Sequence, residues 1–151
     1  MRAWATGVTV LATEAHGERH GMTASSFTSV SLEPPLVLVC AENNMRTLRL
    51  IQEAGVFAVS VLRAGQLEWS DRFAGRIPDA ADRFAGIPVR AAITGAPILE
   101  NALAYFDCQL ETLYPTATHT IVIGRVVAAG RVEGEPLLYW NRGYRTMNND
   151  E

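Results

Sequence analysis

Hydrophobic and polar positions first fall into a regular pattern at Val8. Val8, Val10 and Ala12 alternate with Thr9, Leu11 and Thr13, a period of two rich in β-branched residues that predicts a strand. Glu14 to Glu18 is polar and contains Gly17, so it predicts a hairpin turn, with Arg19 to Ser26 as the returning strand. That strand carries three hydroxyls unusual for a core strand, Thr23, Ser25 and Ser26, within Gly21-Met22-Thr23-Ala24-Ser25-Ser26-Phe27. Ser31-Leu32-Glu33-Pro34-Pro35 breaks the chain, because proline has no N–H to donate and restricts the residue before it. Leu36 to Cys40 is apolar on both faces and predicts a central buried strand. A helix is expected to start at Asn43-Asn44, with asparagine as the cap. Leu48, Ile51 and Ala54 then recur at helical spacing, and Gly55 supplies the stop.

Val56 to Leu62 predicts a further buried strand, and Gln66 to Phe73 a short amphipathic helix. Asp71 and Asp82 are expected to serve helix ends. After Pro97, Phe106, Cys108 and Leu110 alternate with Asp107, Gln109 and Glu111, the pattern of a half-exposed strand. His119 to Val132 predicts a long strand with Gly124 as a bulge or a point of close approach, and Leu137 to Trp140 a short last strand. Roughly six or seven strands joined by short hairpins, with two or three short helices, predict an antiparallel barrel with helices on its flank.

Composition narrows the function classes. The chain has 151 residues, 48% of them hydrophobic, and no linker-like stretch divides it, so residues 1–151 are expected to form a single domain. The net charge is −3, and the 13 basic residues are all arginine, scattered without a run. That leaves no basic patch visible along the chain for nucleic acid. Cys40 and Cys108 each sit in an apolar run and read as buried small hydrophobes, and no Cys/His cluster suggests a metal. No secretory leader or membrane-length apolar run is visible, so a cytoplasmic location is expected, with no membrane partner. The strand pattern begins almost at once, so an N-terminal helix is expected to be short or missing. The pentapeptide Asp-Arg-Phe-Ala-Gly occurs at Asp71–Gly75 and again at Asp82–Gly86, which reads as coincidence rather than as a repeat architecture.

The candidate chemistry lies in the order of three pieces: the hydroxyl-bearing strand, the Pro-Pro breaker with its buried strand, and Asn43-Asn44-Met45-Arg46-Thr47 at a helix start. A helix N-terminus favours an anion, and Arg46 and Thr47 add a guanidinium and a hydroxyl suited to phosphate. Thr23, Ser25 and Ser26 can bond the polar edge of a planar ring or a polyol. A flavin mononucleotide joins those parts. Each residue also has a plainer reading: a solvated strand face for the hydroxyls, a helix-surface charge for Arg46, a first-turn hydroxyl for Thr47 and a cap for Asn43. His119 shares strand parity with Ile121 and Ile123 and reads equally as a packing residue.

Thr6-Gly7-Val8-Thr9-Val10, the block Gly21 to Cys40 (Gly-Met-Thr-Ala-Ser-Ser-Phe-Thr-Ser-Val-Ser-Leu-Glu-Pro-Pro-Leu-Val-Leu-Val-Cys) and Phe57 to Leu62 resemble the flavin reductase-like family with the FMN-binding split-barrel fold. Leu137-Leu138-Tyr139 and Gly143-Tyr144 match its C-terminal end. The resemblance implies a mainly β fold, an antiparallel split β-barrel with a few short flanking helices. It implies an NAD(P)H:flavin oxidoreductase that passes a hydride from NADH or NADPH to FMN or FAD, in a homodimer with flavin near the subunit interface. A flavin-dependent monooxygenase component is the implied partner. By match, Met22, Thr23, Ala24, Ser25 and Ser26 line the ring and ribityl chain. Cys40, Ala41, Glu42 and Asn43 run beside the flavin, and Arg46 and Thr47 stand at its phosphate. His119 matches a family histidine near the nicotinamide. Where the family often has Gly-Asp-His, this chain reads Ala117-Thr118-His119, so the orienting carboxylate is replaced by a hydroxyl. Hydride transfer between stacked rings needs no protein acid or base, so binding residues and no indispensable catalytic one are expected. Two alternatives stand beside this: a flavin-binding module without turnover, and a flavoprotein reducing another acceptor such as a ferric complex.

Overall fold

The fold follows from one hairpin and a seam. β1 (Thr6–Gly7) leads into β2 (Thr9–Ala15), which returns as β3 (Glu18–Ala24). The two-residue loop between them, His16-Gly17, has φ of 53° and 76°, the left-handed pair whose twist matches that of the flanking strands. β4 (Thr28–Leu32), β5 (Pro35–Glu42), helix α1 (Arg46–Ala54), β6 (Val56–Val61) and helix α2 (Leu67–Phe73) follow. The chain then forms β7 (Val89–Arg90), β8 (Ile98–Leu99), β9 (Ala104–Pro115), β10 (His119–Arg131), β11 (Leu138–Trp140) and β12 (Gly143–Arg145). This computed structural model describes residues 1–77 and 82–147.

Seven strands form one antiparallel sheet in the order β3-β2-β6-β9-β10-β5-β4. It curls until β3 returns towards β5, but no ladder closes the barrel there. Instead the Ser26 hydroxyl bridges the gap, accepting from Cys40 N–H at 3.0 Å and donating to Cys40 C=O at 3.1 Å. The mainly β, antiparallel split barrel with short flanking helices is the expected fold.

Leu11, Val39, Ile51, Phe57, Val59, Cys108 and Val122 are sealed inside, where α1 plugs the barrel with Leu48 and Ile51. A second apolar cluster outside β2 joins Val8, Val10, Leu62, Phe73, Phe84 and Leu137. Strand β2 is therefore covered on both faces. Gly124 sits at a bulge, and a Cβ there would overlap the Phe57 ring, so the close approach expected at this glycine is real.

Five expectations change. β5 is not a central strand: it lies one from the edge, with Val37, Val39 and Ala41 buried and Leu36, Leu38 and Cys40 only half-buried. The barrel interior covers one face of β5, and the other is only partly packed. Asp107 does not face solvent. It is fully buried because Ile93 N–H (2.7 Å), Thr94 N–H (2.9 Å) and the Thr94 hydroxyl all donate to its carboxylate.

Helix α1 starts at Arg46 with Met45 in the cap position and no capping side chain. Asn43 and Asn44 precede it, because the Asn43 side chain is drawn across to the β9–β10 hairpin. Asp71 serves no helix end: it lies within α2 and accepts hydrogen bonds from Tyr144 and Arg76. Asp82 caps a turn, accepting from Phe84 N–H at 2.9 Å.

The two Asp-Arg-Phe-Ala-Gly segments are also not independent. Phe73 and Phe84 meet edge to face at 4.9 Å, Arg83 donates to Phe73 C=O at 2.9 Å, and Arg72 donates to Ala85 C=O. Each arginine reaches the carbonyls of the other copy, so the repeat builds a reciprocal contact even though it creates no repeat architecture.

Candidate functional site

The seam between β3 and β5 opens into a cavity of about 410 Å³, lined by Met22 to Ser26, Cys40, Glu42, Met45, Phe73, Ala74 and His119. These residues lie near the end of an element or just beyond it. β3 and β5 must part here because no ladder joins them, and the gap is the cavity.

Strand alternation sorts the β3 residues. Met22 and Ala24 are buried against the barrel core. Thr23 and Ser25 point the other way, to the mouth of a smaller cavity of about 160 Å³ shared with Ser70, Ala74, Arg76 and Tyr144. The Thr23 hydroxyl donates to Ser70 C=O at 2.6 Å, fastening α2 to β3. The Ser26 hydroxyl is committed to Cys40, so Ser25, which is exposed, is the hydroxyl left to meet a ligand.

Asn43 joins two parts of the site. Its backbone N–H donates to Thr118 C=O at 3.0 Å, and its side-chain oxygen accepts from the Thr120 hydroxyl at 2.8 Å. It thereby holds the turn before α1 against the hairpin that carries His119. His119 lies opposite Glu42 in the ladder, with its Nδ1 2.8 Å from Thr118 Oγ1. The hydroxyl that stands in for the family's carboxylate therefore does contact the imidazole.

Ala41 is fully buried on the core side of β5 and does not line the cavity. Thr47 is also fully buried, with its hydroxyl 2.8 Å from His20 Nδ1. Arg46 lines a separate cavity of about 470 Å³ with Gly17, Arg19, His20, Asp82, Arg83 and Phe84. Its guanidinium is bound to Glu18, whose carboxyl is held below the usual range by that hydrogen bond.

The two cavities adjoin. His20 and Met22 sit two residues apart on β3, Met45 and Arg46 are consecutive, and Arg83 bonds the carbonyls of Gly21 and Phe73 at 2.9 Å each. Of the sequence-predicted residues, Met22 to Ser26, Cys40, Glu42 and His119 line the ring-sized cavity at the seam and Arg46 the cationic cavity beside it, whereas Ala41, Asn43 and Thr47 line neither. Met45, Phe73, Ala74, Arg19, His20 and Gly17 were not singled out from the sequence. Only Met45 carried a signal, as part of the helix-start segment.

The chemistry of the seam cavity fits a planar, amphipathic ring. Met22, Met45 and Phe73 supply apolar wall, while Ser25, the backbone and His119 supply polar groups. The first backbone N–H groups of α1, which have no intrahelical partner, suit a phosphate at the border with the cationic cavity.

The family of flavin reductase-like domains matches residues 1–148. A probable flavin reductase of Rhizobium meliloti is 41% identical over 145 residues, which is 95% of this chain but 46% of that protein, so the chain spans about half its length. The reductase component of a 4-hydroxyphenylacetate 3-monooxygenase from Thermus thermophilus is 41% identical over 149 residues, covering 97% of this chain and 92% of the relative. An NADH:FAD oxidoreductase of Streptomyces globisporus, solved with NAD and FAD fragments, superimposes with a TM-score of 0.90 at 37% identity, covering 98% of this chain and 88% of that one. Fold, seam and these relatives agree, and the chain belongs to the family of flavin reductase-like domains.

Proposed function

We propose that the protein is an NAD(P)H:flavin oxidoreductase that takes FMN or FAD in the seam cavity and supplies reduced flavin to a partner monooxygenase. The observation that carries the reading is the cavity of about 410 Å³ at the β3–β5 seam, where an apolar wall, an exposed hydroxyl and His119 meet beside the start of α1.

A bound flavin would supply the acceptor for a hydride from the nicotinamide. The protein's part is placement. Met22 and Phe73 keep water from one side of the cavity, Ser25 offers a hydrogen bond, and Arg46 with the α1 amides holds the phosphate end. His119, fixed by Thr118, stands where a second ring can approach. Hydride transfer depends on two rings held at close range and requires no protein acid or base.

We further propose a homodimer, with the half-covered outer face of the barrel as contact, and a cytoplasmic location. Among the described residues no helix is long and apolar enough to cross a membrane. The reductase component from Thermus thermophilus is one of the relatives that suggest an oxygenase partner.

The test is oxidation of NADH and of NADPH by the purified protein, followed at the nicotinamide absorbance with FMN, FAD or no flavin added. Turnover that needs added flavin supports the proposal. Flavin binding without turnover supports the binding-module reading instead.

A further inference from the structure

The hairpin tip that presents His119 is exposed, so burial does not hold it in place. Strand β9 ends at Pro115 and β10 begins at His119, and residues 116–119 are all open to solvent. The tip closes on itself where Thr116 donates to His119 C=O, from its backbone N–H at 2.8 Å and from its hydroxyl. What fixes it against the rest of the molecule is Asn43.

Asn43 grips the tip at four points. Its backbone N–H donates to Thr118 C=O at 3.0 Å, and its side-chain oxygen accepts from the Thr120 hydroxyl at 2.8 Å. Its side-chain NH2 donates to Thr116 C=O and to Ala117 C=O, each at 3.4 Å. Those two carbonyls can only accept, which sets the amide with its nitrogen towards the tip and its oxygen towards the buried Thr120. Among the described residues, no other side chain from outside the hairpin bonds residues 116–120.

Asn43 itself lines neither the seam cavity nor the cationic one. It sits between Glu42 and Met45, which do line the seam cavity, in the turn where Met45 N–H donates to Glu42 C=O at 3.1 Å. Its turn thus builds one wall of the ring cavity, while its side chain holds the residues on either side of the His119 imidazole. Hydride transfer falls steeply as the two rings part, since the reacting atoms must lie within about 3–3.5 Å. We propose that Asn43 is a positioning residue for the nicotinamide: it touches neither cofactor and acts through His119, by fixing the hairpin tip against the flavin-side turn. This rests on the proposed flavin reading of the seam cavity, with His119 beside the second ring. A purely structural tie would instead cost stability and affect both ligands alike.

The test is anaerobic stopped-flow reduction of the FMN-loaded protein by NADH, which gives the limiting rate of flavin reduction and the apparent dissociation constant of NADH. FMN affinity is read separately by fluorescence titration. The variants are Asn43→Ala, Thr120→Val, Thr120→Ser, His119→Ala and the double variant of Asn43→Ala with His119→Ala. Thr120→Val removes the donor to Asn43 with little change of shape, and Thr120→Ser keeps the hydroxyl, so the proposal is tested from both sides of the contact even where one substitution disturbs folding.

Asn43→Ala and Thr120→Val should each lower the ratio of limiting rate to NADH dissociation constant roughly 3- to 10-fold, the scale of one or two neutral hydrogen bonds. FMN affinity should stay within about twofold of the wild type, and Thr120→Ser should keep most of the wild-type ratio. In the His119→Ala background, Asn43→Ala should add no further loss, because its effect runs through that imidazole. A full further loss in that background overturns the proposal. So does a loss of FMN affinity equal to the loss of NADH reactivity, which would mark a direct flavin contact or a general structural role. An unchanged ratio in Asn43→Ala or in His119→Ala overturns it as well. Wild-type protein that binds no flavin, or whose flavin NADH does not reduce, would sink the underlying reading, a result distinct from all of these.

Discussion

The Nδ1 atom of His20 lies 2.8 Å from the hydroxyl of Thr47, joining the middle of β3 to the first turn of α1. This contact fixes the helix start at the border of the two cavities. Burial above all, then the charges of Arg83 and Arg46, keep the imidazole neutral near neutral pH, against the smaller opposing pull of Glu18.

The pH dependence of stability follows from that neutrality. Folding lowers the His20 pKa from 6.5 to about 4. Between those values the unfolded chain holds a proton on this residue that the folded one does not. Stability falls as pH drops through the window, and the contribution is flat above about pH 6.5. Glu18 and Asp82, both held below the ordinary carboxyl range, add their own loss at lower pH. Thermal denaturation between about pH 7 and pH 5 should therefore show a decline in Tm that is shallower in His20→Gln. Equal slopes would contradict the role given to His20.

Glu18 competes with any phosphate for Arg46. Replacing it with a neutral isostere, Glu18→Gln, should tighten flavin binding about two- to fivefold, the scale of an exposed ion pair. Arg46→Ala should weaken it. Flavin fluorescence titration of both variants reads the opposite signs, and changes of the same sign would remove Arg46 from the phosphate site.

The two thiols should behave differently. Cys40 is half-buried in the seam cavity, whereas Cys108 is fully buried, with its pKa pushed up to about 12 chiefly by burial. Alkylation of the native protein, read by mass spectrometry, should label Cys40 alone, and added FMN should protect it. Labelling of Cys40 unaffected by saturating FMN would place the flavin elsewhere.

Gly124→Ala should lower stability by about 1–3 kcal/mol, because the new methyl group overpacks a filled core. It would overlap Phe57 Cζ and meet Cys108 Cβ at 2.9 Å. Chemical denaturation checks this, and a neutral result would show that the bulge at Gly124 can shift.

Much of this molecule is legible in its sequence where the signal is local. The alternation over Val8 to Thr13, the run from Val56 and the long strand from His119 all become strands, and Gly55 ends α1 in the left-handed conformation. The family resemblance carried the split barrel and the β3 and β5 contributions to the site. What stayed hidden depends on partners distant in sequence. Asn43 reads as a helix cap until the hairpin at 116–120 claims its side chain. Asp107 reads as a solvent-facing strand residue until the loop at Ile93 and Thr94 brings it donors. Arg19 is an ordinary charge on the returning strand until β3 and the second Asp-Arg-Phe-Ala-Gly segment set it beside Arg83 around one cavity. No periodicity encodes such meetings.

The most direct test of the account is a crystal structure of the protein with FMN bound. The account predicts the ring in the seam cavity, between the Met22–Ser26 end of β3 and Cys40 to Met45, with the phosphate at Arg46 and the start of α1. A flavin seated away from this seam, or one whose phosphate points away from α1, would contradict it.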